Sequence, residues 1–333
     1  MSTVLLVGAG AVGARAGRQL VDTSGIDQVF VADREPERSE AVAELLGPTA
    51  SVVVWPPAGI AEVDAVAVAL PGAAALSVAR AAVSARRPVA AVSDEEVAIA
   101  ALLALDAPAR DAGVAVIAGC ALVPGLSEVL ARHAANDLDA ADEVHVARAG
   151  AAGPECVAAL RRIRRVRALE WRDDAWRSER RLGPQLVWFP DPVGARECDV
   201  APSGVALMRD AVPGARHASV RVAEPPVRNT LMALLGRRPL DNGWGAARVE
   251  VWGWRGEARE SIVYGVIERP AVAAGTVLAV TAARLAGALP TITFAAEPIG
   301  AGGLGTFVTP APFLAELARR GVKAAAFEGA AAA

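Results

Sequence analysis

A glycine triplet near the amino terminus has the spacing of a phosphate-binding turn. Gly8, Gly10 and Gly13 follow an apolar run and precede a helical pattern. Gly8 permits a tight turn, Gly10 has no Cβ to hold a pyrophosphate off the backbone, and Gly13 lets the helix lie close on the sheet. Ala11 and Val12 complete a helix start whose N–H groups can face phosphates. The spacing predicts a dinucleotide-binding site.

An acidic residue follows the next apolar run, where the ribose of a dinucleotide would need it. Asp33 ends the run Val29–Ala32. A carboxylate at this strand end can accept both hydroxyl protons of an adenosine ribose, whereas a 2′-phosphate would bring like charges together, so NAD is favoured over NADP. Arg34 and Arg38 keep NADP open, because either side chain could neutralise a phosphate or stack on adenine. The alternative for Arg34 is a solvated arginine after a strand.

Six apolar runs in the first 120 residues, with helical patterns between most of them, must position these groups. The runs are rich in β-branched residues and do not alternate with polar residues. This pattern is typical of parallel strands that are covered on both faces. The pattern predicts an α/β fold with a Rossmann-type doubly wound parallel sheet, whose ligands gather at the carboxyl ends of the strands. The predicted strands are Val4–Val7, Val29–Ala32, Ser51–Val54, Ala65–Leu70, Val89–Val92 and Val114–Ala118.

Two further strand ends carry candidate residues. Leu70-Pro71-Gly72 follows the fourth run and is expected to border the cofactor ribose. Asp94 follows the fifth run, where the nicotinamide would lie, and is a candidate for substrate binding or proton handling. The alternative is a capping box, in which Ser93 caps a helix and Glu96 reaches back to it.

The turn after the sixth run offers two more candidates for the reacting end of the site. Cys120 follows that run directly; its alternative is a small buried hydrophobe, since no neighbouring His or Lys in the sequence would lower its pKa. Pro124 and Gly125 open a helix that ends around Asn136. The free N–H groups of this helix start could bind a substrate carboxylate or the nicotinamide amide.

The second half of the chain has a different pattern. Strands alternate in the half-buried manner, as in Arg248–Trp252, and Asp173-Asp174 predicts a hairpin turn. We expect a dinucleotide-binding domain over 1–120 and an α+β substrate and dimerisation domain over 121–305, with about 306–333 as a candidate to pack back on the first. The late predicted helices are Gly275–Ala288 and Pro312–Arg320. Gly300–Gly305 repeats the glycine spacing, but an extended run to Pro310 follows it, so no phosphate site is predicted there.

Composition excludes several classes of protein. The net charge of −3 gives no bulk attraction for phosphate backbones, so nucleic acid is an unexpected partner. No apolar run is long enough to span a bilayer, and Met1 leads at once into a strand without a signal peptide, so we expect a cytoplasmic protein. The number and spacing of the three cysteines are typical of reduced thiols. Neither the cysteines nor the three histidines have the spacing of a metal site.

Together these motifs resemble the saccharopine dehydrogenase-like oxidoreductases. The resemblance covers nearly the whole chain, closely in the cofactor half and in outline in the substrate half. It implies reversible hydride transfer at a C–N bond, between an imine and an amine of an amino-acid-like substrate, with NAD or NADP. Relatives include saccharopine reductases, lysine 6-dehydrogenases and carboxynorspermidine dehydrogenases. The motifs are the glycine triplet, Val31–Arg34, Leu70–Gly72, Val92–Asp94, Gly119–Ser127, Phe189–Gly194 and Pro310–Gly321.

Two other functions stay open at this point. A cofactor-binding scaffold or sensor without turnover would explain the few acid/base residues of the substrate half, and a carbonyl or enoyl reductase would use the same cofactor. Arg148, Arg221 and Arg228 are equivalent candidates for a substrate carboxylate clamp. The alternating strands and the tryptophans near Gly253 predict a homodimer joined through the second domain.

Overall fold

The amino-terminal part of the chain forms a parallel sheet. The computed structural model describes residues 2–57, 59–179, 183–224 and 243–327. The strands lie in the spatial order β3-β2-β1-β4-β5-β6, and every neighbouring pair is parallel. This arrangement confirms the predicted Rossmann-type doubly wound sheet. The strands are β1 (Ser2–Val7), β2 (Ile26–Ala32), β3 (Ala50–Val52), β4 (Ala65–Val68), β5 (Val89–Ala91) and β6 (Ala115–Ala118).

Five α-helices connect these strands, and apolar side chains of the parallel strands are buried between them. Val4–Val7 of β1 and Ala65–Val68 of β4 are almost wholly inaccessible, which accounts for their continuous Val, Leu and Ala runs. A 3₁₀ turn, Ile60–Glu62, precedes β4. The helices are α1 (Ala11–Val21), α2 (Pro36–Leu46), α3 (Gly72–Ser84), α4 (Glu96–Leu103) and α5 (Asp106–Ala112).

A seventh strand, Gly300–Gly303, completes the first sheet by pairing in parallel with β6. The sequence pattern predicts six strands for this sheet and assigns Gly300–Gly303 to the second domain. Three glycines give no apolar run, so the local pattern does not reveal this strand; the sheet edge left open by β6 decides its conformation. The domain boundaries remain a proposal.

The second half of the chain forms a mixed sheet with the order β10-β11-β12-β7-β13-β14-β16, and β8 pairs with both β12 and β9. Among the described strands of this sheet, β12 and β7 are the only parallel neighbours. Its strands are β7 (Ala140–Ala149), β8 (Ala168–Arg172), β9 (Ala175–Glu179), β10 (Gln185–Trp188), β11 (Ala195–Val200), β12 (His217–Ala223), β13 (Gly245–Arg255), β14 (Ala258–Glu268) and β16 (Ala324–Phe327). The strand Gly300–Gly303 of the first sheet is β15 in chain order.

The two faces of this mixed sheet differ in burial. Val144, Val146 and Val249 point into the main core, where the sheet packs on a helix over Leu126–Asn136. Alternation in the strands places Glu143, His145, His217, Arg248 and Glu250 on the other side, which we call the open face. The remaining helices are α6 (Leu126–Asn136), α7 (Pro154–Arg165), α8 (Val205–Ala211), α9 (Pro270–Leu285), α10 (Leu304–Phe307) and α11 (Pro310–Arg319).

Three local predictions can be compared directly with these elements. Asp173-Asp174 forms the expected hairpin turn between β8 and β9, with both residues in the left-handed region. The prediction of an extended run after the last glycine is wrong in part. Leu304–Phe307 forms one helical turn, and the extended conformation begins at Val308. Among the described residues, no helix is both long enough and apolar enough to cross a membrane.

Candidate functional site

A cleft of about 230 Å³ lies where the carboxyl ends of the first sheet meet the second sheet. Its walls combine the glycine turn with residues of both halves of the chain. The location agrees with the rule that ligands of open α/β sheets bind beyond the carboxyl ends of the strands. The lining residues include Gly10–Val12, Arg38, Ala69–Gly72, Val92–Glu95, Ala121–Val123, Arg148–Gly150, Ala152–Cys156 and Pro270.

The glycine turn has the geometry of an anion site. A Cβ on Gly8 would lie 2.5 Å from the Ala69 carbonyl oxygen, and one on Gly13 would lie 1.7 Å from the Gly8 oxygen, so both positions require glycine for packing. A Cβ on Gly10 meets nothing within 4 Å and points into free space. Helix α1 begins at Ala11 with no side-chain cap and no acid in its first turn. Its first N–H groups therefore face the cleft as donors.

Asp33 lies at the carboxyl end of β2 and is buried. The Ala9 N–H donates to its Oδ2 (2.7 Å), and the Glu35 N–H donates to its Oδ1 (2.9 Å). Each carboxylate oxygen can accept more than one hydrogen bond, so both oxygens can still accept hydrogen bonds from ribose hydroxyls. Arg34 is exposed, whereas Arg38 lines the cleft with its Nε 2.7 Å from a carboxylate oxygen of Glu35.

A buried arginine joins the two halves of the cleft. Arg148, at the end of β7, donates through Nη1 to the Val123 carbonyl (2.7 Å), and its Nη2 lies 3.4 Å from Oδ2 of Asp94. The Arg148 residue is only 7% exposed, while the Asp94 side chain is 21% exposed towards the cleft. The structure thus brings together Asp94 and one of the three arginine candidates.

A second arginine candidate, Arg221, does not share this position. Arg221 lies on β12 and lines a separate hollow on the open face, together with His145 and His217. Arg228 lies outside the described residues. Sequence reasoning could not choose among the three, because the choice depends on which face of which strand meets the first sheet.

Cys156 is a cleft residue that the sequence analysis did not select. Its Sγ lies 3.4 Å from Nη2 of Arg148 and 3.8 Å from Oδ2 of Asp94. Burial raises the pKa of the Cys156 thiol, and the nearby Arg148 charge opposes this effect. The thiol therefore stays protonated and forms part of the cleft wall. Pro154, two positions earlier in the chain, is the first residue of α7. This proline was the feature of the sequence that could have indicated a helix end near the site.

The capping-box alternative for Ser93 is wrong. Helix α4 begins at Glu96 and its cap position is Glu95, so Ser93 lies outside the helix. Glu96 instead accepts hydrogen bonds from the backbone N–H groups of Gly204 (2.8 Å) and Val205 (3.0 Å). Ser93 lines the cleft, and its buried Oγ has no hydrogen-bond partner among the described residues. The segment before α4 is thus a wall of the cleft.

The position of Cys120 favours the alternative of a small buried side chain over a role at the reacting end. The residue is fully buried, is absent from the cleft lining, and its thiol donates to the Ile117 carbonyl. Burial raises the pKa of the Cys120 thiol to about 12. A thiol of this kind is a small core side chain rather than a nucleophile or proton donor.

The helix start at Pro124–Gly125 also differs from the expectation. The Leu126 N–H donates to the Ala121 carbonyl (2.9 Å), and the Ser127 N–H donates to the Leu122 carbonyl (3.1 Å). The Gly125 N–H donates to the Glu128 carboxylate. These amides are therefore satisfied within the protein and are not available to a substrate carboxylate.

Comparison with known proteins supports the fold. No protein-family model and no curated protein matches the sequence. Saccharopine dehydrogenase (L-Glu forming) from Saccharomyces cerevisiae superimposes with a TM-score of 0.70 at 14% identity, covering 98% of this chain and 100% of that one. C. glutamicum DAP dehydrogenase gives 0.55 at 12% identity, with 96% and 98% covered.

Amine dehydrogenase from Mycobacterium smegmatis gives a TM-score of 0.51 at 13% identity, and the alignment covers 92% of this chain and 96% of that one. All three similarities extend over both sheets rather than the dinucleotide-binding part alone. The chain therefore shares with saccharopine dehydrogenase the arrangement of a Rossmann sheet and a second mixed sheet. This similarity of fold confirms the resemblance that the sequence motifs indicate.

Proposed function

We propose that this protein is an NAD(P)-dependent oxidoreductase that transfers a hydride at a C–N bond of an amino-acid-like substrate. One observation carries the proposal: a single cleft joins the glycine turn at Gly10–Val12 to the buried guanidinium of Arg148 and the carboxylate of Asp94. The first group suits a pyrophosphate, and the second pair suits a zwitterion. The resemblance to saccharopine dehydrogenase in fold is consistent with this assignment.

The residues present fit a dinucleotide. Gly10 leaves open space at the position of a Cβ, the first turn of α1 carries no acid, and Asp33 retains acceptor capacity at the next strand end. Leu70-Pro71-Gly72 lines the adjoining wall, where we place the ribose. The pairing of Arg38 with Glu35 reduces the positive charge available to a 2′-phosphate, which favours NAD.

Arg148 is the proposed clamp for the substrate carboxylate. A guanidinium recognises a carboxylate through charge-assisted hydrogen bonds, and burial strengthens such bonds. The bond from Nη1 to the Val123 carbonyl fixes the orientation of the side chain, since only the other edge of the guanidinium remains directed at Asp94 and the cleft. Arg148 is therefore preorganised before the substrate binds.

Asp94 is the proposed group that binds the substrate nitrogen and exchanges its proton. A bound nicotinamide would supply the hydride acceptor for the C–H bond of the amine, and the substrate nitrogen would lose one proton as the C=N bond forms. The Asp94 carboxylate is partly exposed towards the cleft, so it can accept that proton and pass it to solvent. Cys120, Pro124 and Gly125 have no place in this proposal, because they are buried and do not line the cleft.

The test is a turnover assay of the purified chain with NAD⁺ and NADP⁺ against a panel of amino acids and amines, and with NADH and NADPH against oxo acids with and without ammonium. We expect oxidation of an amino acid and ammonium-dependent reduction of an oxo acid. Ammonium-independent reduction of a ketone or enone would identify a carbonyl or enoyl reductase instead. Dinucleotide binding without turnover on any compound would favour the scaffold or sensor.

A further inference from the structure

Three potential metal ligands meet on the open face, away from the cleft. Glu143 and His145 lie two positions apart on β7, and His217 lies opposite Glu143 on the neighbouring parallel strand β12. One ligand atom from each residue lies within 4.8 Å of the other two. The register of the β7–β12 pair thus gathers two imidazoles and one carboxylate at a single point of the sheet.

The separations suit a small divalent ion. Nε2 of His145 lies 3.3 Å from Oε2 of Glu143. Two ligands bound tetrahedrally at zinc distances lie about 3.3 Å from each other. Nδ1 of His145 lies 2.8 Å from the Ser219 Oγ, a contact that fixes the ring and leaves Nε2 directed at Glu143. A hydrogen bond to the second ring nitrogen is the usual support of a metal-binding histidine.

His217 completes the group. Its ring packs edge-on against His145, with the ring centroids 4.6 Å apart. Its Nε2 is buried and has no hydrogen-bond partner among the described residues. A buried ring nitrogen without a partner is costly, and coordination of a cation would remove that cost.

Two nearby arginines, Arg259 and Arg172, are paired with acids, which reduces the positive field at the group. Arg259 bonds to Oε1 of Glu143 and to Asp142, both at 2.6 Å, and this leaves Oε2 of Glu143 free for a ligand role. Arg172 lies 2.6 Å from Glu170. Two imidazoles and one carboxylate form a donor set that zinc and similar first-row ions prefer.

We propose that Glu143, His145 and His217 bind a divalent transition-metal ion of the zinc class, which links β7 to β12. No local sequence pattern indicates this site, because His217 is far from the other two residues in the chain. A hollow lined by His145, His217 and Trp188 leaves room for a fourth ligand such as water. Arg148 occupies the opposite face of β7, by the alternation of the strand, so this site does not depend on the proposed reaction.

The experiment is a titration of the untagged, chelator-treated chain with ZnCl₂ by calorimetry and with CoCl₂ by absorption spectroscopy. We expect one ion per chain, a cobalt spectrum without a thiolate charge-transfer band, and a higher Tm when zinc is present. His145→Ala and His217→Ala should abolish binding, and Ser219→Ala should weaken it by about tenfold. His133→Ala is the matched control, since His133 is the one remaining histidine of the chain.

Circular dichroism of each variant tests that it is folded, and Glu143→Gln replaces any histidine variant that is not. The proposal is overturned if the wild type binds no ion at micromolar concentration. It is equally overturned if folded His145→Ala, His217→Ala or Glu143→Gln binds zinc as tightly as the wild type. A thiolate band in the cobalt spectrum would assign the ion to a cysteine and contradict the site.

Discussion

Arg148 and Asp94 are 54 positions apart in the chain, yet Nη2 of the arginine lies 3.4 Å from Oδ2 of the aspartate. Arg148 is the penultimate residue of β7 in the second sheet, and Asp94 follows β5 of the first sheet. The contact therefore places a cation and an anion at the junction between the two sheets, on the wall of the cleft. Predictions about the proposed reaction can be tested at these two residues separately.

Arg148→Lys should raise KM for the amino-acid substrate by about 10- to 100-fold, because an ammonium cannot reproduce the paired hydrogen bonds of a guanidinium. The dissociation constant of the dinucleotide should change by less than about threefold, since Arg148 contacts the substrate end of the cleft. Steady-state kinetics and calorimetric titration measure the two effects. Arg165→Lys, at an exposed position of α7, is the control and should alter neither. An unchanged KM in the Arg148 variant would contradict the clamp.

Asp94→Asn should lower kcat by about 10²- to 10⁴-fold, the range for loss of a general acid or base, while the dinucleotide affinity is preserved. The variant keeps the size and an oxygen acceptor for Arg148 but cannot take up a proton. Stopped-flow turnover and calorimetry measure the outcome, and the exposed Asp111→Asn is the control. Equal losses of turnover and dinucleotide affinity, or a large fall in Tm, would assign Asp94 a structural role instead.

Asp33→Ser should weaken NAD binding more than NADP binding. The lost carboxylate removes hydrogen bonds to the ribose diol of NAD, and the lost charge relieves repulsion of a 2′-phosphate. Titration calorimetry with both dinucleotides gives the ratio of their dissociation constants, and Glu37→Gln, an exposed residue of α2, serves as the control. If the ratio does not change, Asp33 does not contact the cofactor.

Glu128→Gln should make the stability of the protein less dependent on pH. Burial raises the pKa of the Glu128 carboxyl from its ordinary value near 4.5 to about 7, and the Gly125 N–H and Ser127 hydroxyl only partly oppose this. The folded state therefore holds the proton more tightly than the unfolded state. The stability that the protonated Glu128 carboxyl contributes is complete below about pH 4.5 and is lost as the pH rises through about 7.

Thermal unfolding of wild type and Glu128→Gln at about pH 5 and about pH 8 measures this effect. The fall in Tm between the two pH values should be smaller in the variant. Glu44→Gln, an exposed residue of α2, should retain the wild-type difference. An equal fall in wild type and Glu128→Gln would show that another group dominates the pH dependence.

The chain should form a homodimer through the open face of the second sheet. Leu186 and Trp188 of β10 are 61% and 66% exposed and lie at its edge, where a two-fold partner would cover them. Light scattering at micromolar concentration should give twice the mass of one chain. Trp188→Glu should shift the protein towards monomer, whereas Leu45→Glu, an exposed residue on the first domain, should not. A monomeric wild type would contradict the prediction.

The sequence by itself determined the features that depend on local backbone conformation. The glycine triplet, the apolar runs of β1 to β6, the end of α6 at Asn136 and the Asp173-Asp174 turn follow from steric limits and from periodicity, which act over a few neighbouring residues. Gly8 is an example: its positive φ and its closeness to Ala69 exclude any side chain. Such constraints are visible in the residue types themselves.

Only the tertiary structure decided which side chains meet. Whether Cys120 or Cys156 lies in the cleft depends on how the two sheets pack, and a register shift of one residue would move Arg148 to the other face of β7. The strand Gly300–Gly303 forms because β6 leaves an edge unpaired, not because its residues favour a strand. Glu143, His145 and His217 converge for the same reason: the pairing of β7 with β12 joins residues that no local pattern connects.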